Sequence, residues 1–427
     1  MQLVLKGVTI IDPTSPYHQQ KKDIRISDGV VAEISEKIIR IGQAEVHDFN
    51  GKYISPGWFD FLASFGDPGH EQKEDIISGI KAATAGGFTS LGLMPNSHPA
   101  LHSKSEIEYI INKSAGQIVK IIPYGAVTKN REGKELTEMY DMRNAGAAAF
   151  TDADDAIADA GIMLRSLLYV KPFNGVIINI PNDHKIIGNA AVNEGLMSTQ
   201  LGMYGMPDVL EELMVIRDIK LAEYTNSKVH IGIISSAKSI PHIRNAKKRG
   251  VKVTASISAY QIYFDENELH DYNTNFKVNP PLRTRKDIDA LTEGLKDGTI
   301  DVICSYHLPH ESDAKDLEFE YAAYGMETLE ATFGAAHKIL KDEISIEQLI
   351  EKISLNPRTI LGIEIPTIKE NGIAELTIFE TESNYIFTSD KIKSKSKNTG
   401  FTGRELTGRP LAILHHSQFK LVTNGTT

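Results

Sequence analysis

The stretch that decides the fold is Ser55-Pro-Gly-Trp-Phe-Asp-Phe-Leu-Ala-Ser-Phe-Gly-Asp-Pro-Gly-His-Glu71. Its first half is rich in aromatic and apolar residues, which is typical of a strand buried on both faces. The Asp-Pro-Gly sequence near its end predicts a polar turn, and a helix-like run follows from Glu71. The stretch therefore predicts a buried strand that leads through a polar turn into a helix.

The same order of strand, loop and helix recurs through the middle of the chain. The predicted strands cover residues 88–94, 119–122, 147–150, 175–180, 228–234, 251–255 and 301–304, and the clearest predicted helices cover 103–115, 135–144 and 207–224. About eight such units predict an α/β protein with a TIM-type (β/α)8 barrel, whose chemistry lies on the loops after the strands. An open doubly wound sheet is the alternative, but no Gly-rich phosphate-binding turn follows its first strand.

Short strands occupy both ends of the chain. Residues 1–54 show alternating apolar and polar residues with hairpin breaks, and strands return at 374–379, 385–387 and 411–414. Neither end has enough strands for a stable domain alone. We therefore predict one small, discontinuous, β-sandwich-like domain from residues 1–54 and 365–427, beside a barrel of residues 55–364. The basic run Lys391–Asn398 is predicted to be a solvated loop.

The composition is that of an ordinary globular protein. Of 427 residues, 41% are hydrophobic and 24% charged, and the net charge is −10. The negative charge argues against a nucleic-acid partner. Cys304 is the single cysteine, which excludes an internal disulfide or a Cys-based zinc cluster, and its apolar strand predicts a small core residue. With no signal peptide and no membrane-spanning run, we expect a cytoplasmic protein without a membrane partner.

Nine short motifs, in their order and spacing, resemble the dihydroorotase branch of the amidohydrolase superfamily over most of the chain. They are Pro56-Gly57 with Asp60, Met94-Pro-Asn96, Phe150-Thr-Asp152, Asn193-Glu-Gly195, Asn279-Pro-Pro-Leu-Arg283, His307-Leu-Pro-His310, Tyr324-Gly-Met-Glu327, Gly372-Ile-Ala-Glu-Leu376 and Phe401-Thr-Gly403. The resemblance implies a role in pyrimidine biosynthesis. It also implies hydrolysis of a cyclic amide by water activated on one or two zinc ions, with an aspartate that moves the proton.

The zinc ligands that this resemblance implies are mostly absent. The four histidine positions hold Leu62, Ser64, Ile180 and Ile233, and the catalytic aspartate position holds Tyr306. Only the carboxylate ligand position is retained, as Asp152. Because leucine, isoleucine and tyrosine are not plausible replacements for zinc donors, we expect no zinc and no other cofactor. Asp152, Asp154 and Asp155 together are an alternative weak Mg²⁺ or Ca²⁺ site, or simply an acidic helix N-terminus.

The substrate-binding positions are better preserved. The resemblance implies that Asn96, Asn279, His310, Tyr324 and Gly325 are remnants of contacts to the cyclic amide or its carboxylate. The family's substrate-binding arginine is replaced by Gly66, which removes a bidentate grip on the carboxylate.

Two histidines outside the metal positions have simpler interpretations. His307 lies on a loop that looks polar, and it is either a functional residue or a structural one that braces the last strand. His230 lies within an alternating strand and is predicted to be a partly buried histidine with its hydrogen bonds made.

Two functional hypotheses follow. The first is a catalytically inactive dihydroorotase homologue that serves as a structural partner of aspartate carbamoyltransferase, for which the resemblance offers precedent. The second is an active dihydroorotase, or another cyclic amidohydrolase with an unusual site. The ligand set favours the first. A homo-oligomer is expected in either case.

Overall fold

The computed structural model describes residues 1–188 and 190–422. Its strands there are β1 (Gln2–Ile10), β2 (Lys21–Ser27), β3 (Val30–Ser35), β4 (Glu45–Asp48), β5 (Tyr53–Pro56), β6 (Trp58–Ala63), β7 (Phe88–Leu93), β8 (Lys120–Pro123), β9 (Val176–Asn179), β10 (Val192–Asn193), β11 (Gly205–Met206), β12 (Lys228–Ile231), β13 (Val253–Ser258), β14 (Val302–Cys304), β15 (Leu376–Ile386), β16 (Glu405–His415) and β17 (Gln418–Leu421). Its α-helices are α1 (Ile76–Ala85), α2 (Lys104–Lys113), α3 (Met139–Asn144), α4 (Ala160–Val170), α5 (His184–Ile187), α6 (Leu196–Leu201), α7 (Val209–Thr225), α8 (Ser239–Lys248), α9 (Ala259–Tyr263), α10 (Arg285–Lys296), α11 (Ser312–Lys315), α12 (Thr332–Leu340), α13 (Ile346–Ile350) and α14 (Asn356–Leu361).

Strands from both ends of the chain form one eight-stranded sheet. Its order is β17-β16-β15-β5-β1-β2-β3, with β4 paired to β1. The short strand β5 joins the two ends, because it runs parallel to β1 on one side and antiparallel to β15 on the other. Apolar residues from both ends, such as Leu3, Ile24, Ile378 and Leu414, share one buried cluster. The N- and C-terminal segments therefore build one β-domain, as predicted.

The middle of the chain forms a closed parallel barrel. β6, β7 and β8 pair in order, and so do β9, β12, β13 and β14. Phe150 bridges the gap, with parallel pairing to Gly125 on one side and Ile177 on the other, and Ala63 pairs with His307 to close the circle. Since all these strands are parallel, their carboxyl ends and the following loops lie on one rim of the barrel. The TIM-type barrel is confirmed.

The barrel and the terminal sheet are joined by a buried aromatic and ionic contact. Trp58 at the start of β6 stacks on Phe333 at 4.4 Å between ring centroids and lies 5.4 Å from Phe379 of β15. Next to it, the buried guanidinium of Arg358 donates to the Gly57 carbonyl at 2.7 Å and pairs with Glu375. Since β5 runs almost directly into β6, this contact holds the two parts together at their shared strand.

Several helices and strands differ in length from those predicted from the sequence. The helix predicted from Glu71 begins only at Ile76, because the Asp75 side chain caps that first turn by accepting from the Ser78 amide at 2.8 Å. The helix predicted from residue 135 begins at Met139, because the Thr137 amide donates to the Val127 carbonyl at 3.0 Å instead of entering a helix. The strand predicted at 147–150 shrinks to the single bridged residue Phe150. The strands predicted at 374–379 and 385–387 are one continuous strand, β15.

The run Lys391–Asn398 is not the solvated loop that was predicted. Ser394, Ser396 and Asn398 are buried, and only the lysines between them are exposed. The reason is that buried carboxylates near the barrel rim accept hydrogen bonds from this run, which charge pattern alone does not reveal.

Among the described residues, no helix has both the length and the apolar character needed to cross a bilayer.

Candidate functional site

Apolar side chains fill the rim of the barrel where the family resemblance places zinc ligands. Leu62, Ile180, Ile233 and Tyr306 are all buried and belong to one cluster. The side chains of Ile180 and Leu62 both pack against Gly232. A Cβ atom placed on this glycine would lie 3.0 Å from Ile180 Cγ1 and 3.5 Å from Leu62 Cδ1. Burying such a side chain stabilises the fold by about 1.5–3 kcal/mol. These side chains therefore fill this part of the barrel mouth.

Two of these positions have an unusual backbone. Ile233 and Tyr306 both have φ of 49°, in the left-handed region that β-branched and aromatic residues rarely adopt. Backbone strain of this kind is found mainly where surrounding structure imposes it. Burial also raises the pKa of Tyr306 well above its usual value. Its phenol therefore stays protonated at neutral pH and cannot accept a proton from water.

Asp152, the retained ligand position, is already fully engaged by protein. Its Oδ1 accepts from the Val127 and Thr128 amides at 2.8 and 2.9 Å, and its Oδ2 accepts from the Thr128 hydroxyl at 2.6 Å. Burial raises the pKa of Asp152 to about 6, against these hydrogen bonds and the nearby Arg131, which lower it. The carboxylate orders the loop after the third barrel strand.

The neighbouring acids do not complete a cation site with it. Asp154 and Asp155 both form ion pairs with Arg131, at 2.8 and 3.3 Å. Within the described part of the chain, no three His, Cys, Asp or Glu side chains come together in a way that could hold a metal ion. The residues present therefore do not fit the zinc centre that the family resemblance implies, nor the alternative Mg²⁺ or Ca²⁺ site.

A small polar cavity of about 280 Å³ persists beside the filled positions. Its lining includes Ser64, Asn96, His310 and Tyr324. The Ser64 hydroxyl donates to Asn96 Oδ1 at 2.7 Å, and His310 Nε2 donates to the Tyr324 carbonyl at 2.8 Å. Burial lowers the pKa of His310 to about 4, so the imidazole is neutral at physiological pH. Three of the five predicted substrate-binding remnants thus lie around one cavity.

The other two remnants are not part of that lining. Asn279 has a buried side-chain oxygen without a protein hydrogen-bond partner among the described residues. The Gly325 carbonyl accepts from Lys315 Nζ at 3.0 Å and Asn398 Nδ2 at 3.2 Å, a structural role. At the arginine position, a Cβ atom on Gly66 would lie only 1.9 Å from the His70 carbonyl oxygen. The present loop therefore excludes any side chain there.

The histidines outside the metal positions have structural roles. His230 is fully buried, with its ring nitrogens 2.9 Å from the Thr254 and Ser256 hydroxyls, and burial lowers its pKa to about 3. Its hydrogen bonds are made as predicted, although it is wholly rather than partly buried. His307 is also fully buried, unlike the polar loop position predicted, because its Nδ1 accepts from the Thr328 amide at 3.3 Å. Cys304 is a core residue, as predicted.

Three charged or titratable side chains of the cavity were missed by sequence reasoning. They are His70, Lys73 and Arg131. His70 lies in the polar turn of the opening stretch and Lys73 lies just after it, where the delayed start of α1 leaves them facing the rim. Arg131 has φ of 62° on a loop without sequence periodicity, so no pattern could have placed it.

Asp152 offers a direct test of a structural role. We expect Asp152→Asn to lower the free energy of unfolding by about 2 kcal/mol, because an amide nitrogen would face donors that now share two carboxylate oxygens. Urea unfolding at pH 7.5 measures this. Asp141→Asn, at an exposed aspartate on α3, is the matched control and should change stability little. Equal stability of both variants would contradict the assignment.

Comparisons with known proteins agree with this fold. A family model described as "Dihydro-orotase-like" matches residues 51–239. The L-hydantoinase (dihydropyrimidinase) of Arthrobacter aurescens superposes with a TM-score of 0.81 at 20% identity, over 98% of this chain and 95% of that chain. A D-hydantoinase from Thermus sp. gives 0.82 at 18% identity, over 98% and 95%. At such low identity, these structures show the fold alone.

Some proteins have a much higher sequence identity to this chain than these structures have. A protein named "Dihydroorotase" from Ruminiclostridium cellulolyticum is 39% identical over 413 residues, which are 96% of this chain and 96% of that protein. A second protein of that name, from Acetivibrio thermocellus, is 39% identical over 409 residues, 95% of this chain and 96% of the relative. Since this identity extends over nearly the whole length of both chains, the protein belongs to the dihydroorotase family.

Proposed function

We propose that this protein is a dihydroorotase homologue of pyrimidine biosynthesis that does not hydrolyse dihydroorotate itself. Its role in this proposal is to hold aspartate carbamoyltransferase in an active assembly. The observation that supports it is the packing of Leu62, Ile180 and Ile233 where the family binds zinc through histidines. A site that is closed by apolar side chains offers no donors for the ion that activates water.

Among the described residues, the polar groups near the rim supply no substitute for this metal. Without a metal, water near neutral pH is a poor nucleophile and needs a strong base. His310 Nδ1 has no hydrogen-bond partner among the described residues, but burial lowers the pKa of this imidazole to about 4, which makes it a weak base. Asp60 has a pKa raised to about 7 by burial, but it lies below the rim and accepts from the Ser305 amide at 2.7 Å. His310 is therefore a weak base, and Asp60 is held by hydrogen bonds inside the barrel.

A second candidate is an active cyclic amidohydrolase with an unusual site. The names of the relatives and the polar cavity around Ser64, Asn96 and Tyr324 favour it. Such an enzyme would bind a small polar substrate beside, not on, the filled metal positions.

Reconstitution with aspartate carbamoyltransferase from the same source tests the first proposal. We expect the two proteins to co-elute in size-exclusion chromatography, and light scattering to give a mass that fits a symmetric assembly with several copies of this chain. The transferase should be more active or more stable in the mixture than alone. Separate elution, with unchanged transferase activity, would contradict the partner role.

A further inference from the structure

The run Ile392–Asn398, here called the strap, has two chemically different faces. Ile392, Ser394, Ser396 and Asn398 point inward and are buried. The lysines between them, Lys393, Lys395 and Lys397, are exposed. The strap thus presents a row of three lysines on the outside of an acidic protein of net charge −10.

Buried acids hold the inner face of the strap in place. Glu330 accepts from the amides of Lys393 and Ser394, the latter at 2.9 Å. Glu74 accepts from the Ser394 hydroxyl and from the Lys395 amide at 3.1 Å. Because Glu74 follows the first barrel strand and Glu330 follows the last, the strap fastens the two ends of the closed barrel to each other.

Main-chain contacts complete this attachment. The Ser396 hydroxyl donates to the Lys73 carbonyl at 2.5 Å. The Asn398 side-chain oxygen accepts from the His310 amide at 2.9 Å. The main-chain carbonyl of Asn398 accepts from the Glu327 amide at 2.7 Å. A segment fixed at so many points loses little further conformational entropy when a partner binds its outer face.

The three outward lysines differ in how far protein groups engage their charges. Lys395 lies 3.5 Å from Asp75 and donates to the Glu71 carbonyl at 2.6 Å. Lys397 donates to strap carbonyls, including that of Ser394 at 2.9 Å. Within residues 1–188 and 190–422, no ion pair forms at Lys393 or Lys397. The charges of Lys393 and Lys397 also lower the pKa of Glu330, which burial raises to about 7, so the row interacts with the buried acid beneath it as well.

We infer that the lysine row of the strap is a docking site for a carboxylate-rich segment of a partner protein. Charge complementarity and the fixed position of the row support this occupant. The surroundings limit its length, because Glu311 and Asp316 line the cavity of about 590 Å³ beside Lys395 and Lys397. A long polyanion such as a nucleic acid would meet these acids and be repelled, whereas a short acidic peptide contacts the row alone.

This inference goes beyond the proposed function and does not depend on it. The docking site requires neither an inactive barrel nor the transferase as the partner. If the protein fails to co-elute with the transferase, the lysine row can still bind an acidic peptide. If the row fails to bind acidic peptide, the transferase can still co-elute through another surface.

The test uses fluorescence anisotropy with a labelled peptide of alternating glutamate and alanine, and the full-length protein at low ionic strength. We expect binding that weakens with added salt, and no binding of the peptide in which glutamine replaces glutamate. The Lys393→Gln/Lys395→Gln variant should bind the glutamate peptide about threefold to tenfold more weakly, since each exposed charge pair contributes modestly.

The matched control is Lys286→Gln/Lys341→Gln, which removes the same charge from exposed lysines elsewhere. It should keep wild-type affinity, and thermal unfolding should show that both variants are folded. An equal loss of affinity in both variants would show non-specific charge attraction and overturn the inference. So would a lack of peptide binding at low salt, or tighter binding of single-stranded oligothymidylate than of the peptide.

Discussion

Purified without chelator and then supplied with zinc, the protein is expected to contain less than stoichiometric metal and to turn over dihydroorotate at least about 10⁴-fold more slowly than an active family member. The expected size of the loss combines the missing metal-activated water with the missing aspartate, which as a general base alone is worth up to about 10⁴-fold. Elemental analysis measures the metal, and a coupled assay measures turnover in both directions of the reaction.

Variants that restore one histidine at a time serve as controls for this prediction. Leu62→His and Ile180→His should restore neither zinc nor activity, because one histidine cannot hold the ion and its imidazole enters an apolar cluster. Both should lower the free energy of unfolding. The dihydroorotase of Ruminiclostridium cellulolyticum, assayed side by side, provides the reference rate. One zinc ion per chain at the barrel rim, or turnover near the reference rate, would refute the expectation.

The largest effect on stability is expected at the joint between the barrel and the terminal sheet. Arg358→Met should lower the free energy of unfolding by about 3–5 kcal/mol, because it leaves the Glu375 carboxylate without its guanidinium partner. Guanidinium chloride unfolding measures the change. The Arg358→Met/Glu375→Gln pair should recover part of the loss, since it leaves no unpaired charge. Arg285→Met, which breaks an exposed ion pair with Asp289, should cost little.

The ion pair of Arg358 and Glu375 also predicts that the free energy of unfolding depends on pH. Burial alone would raise the pKa of Glu375, but the charges of Arg358 and His415 outweigh it and hold the pKa at about 2, below its usual value of 4.5. A carboxyl group with a depressed pKa in the folded state stabilises the fold above the unfolded-state pKa. We expect this contribution, about 3 kcal/mol, to be lost as pH falls from about 4.5 to about 2, and to be absent in Glu375→Gln. An identical acid-unfolding curve for this variant would contradict the assignment.

Sequence patterns predicted the architecture well because the fold depends on periodic burial. Strands such as β6 and β7 are buried at every residue, and both are rich in apolar residues in the sequence. The shared terminal sheet followed from a count of strands at each end. The filled rim has a similar origin, because leucine and isoleucine at the carboxyl ends of parallel strands pack into one apolar cluster.

What the sequence could not supply were contacts between residues far apart in the chain. The strap looked like a solvated basic loop because its burial depends on Glu74 and Glu330, which lie 320 and 64 residues from Ser394. Arg131 reaches the cavity through a left-handed backbone that no periodicity marks. His307 appeared polar but is buried, because its partner is an amide of a later loop. Local pattern does not encode these pairings.

The position of β5 in the terminal sheet determines the order in which a ribosome can complete this fold. Trp58 and Thr377, which meet beside β5 and β15, are separated by 319 residues. At about 5–20 residues per second, roughly 15–65 s pass between synthesis of the two sides. During that interval β5 has an unpaired edge toward the missing β15, and such edges attract other chains. The barrel can close before β15, β16 and β17 of the terminal sheet have been synthesised. The N-terminal strands are therefore the part of the nascent chain that most needs protection until translation ends.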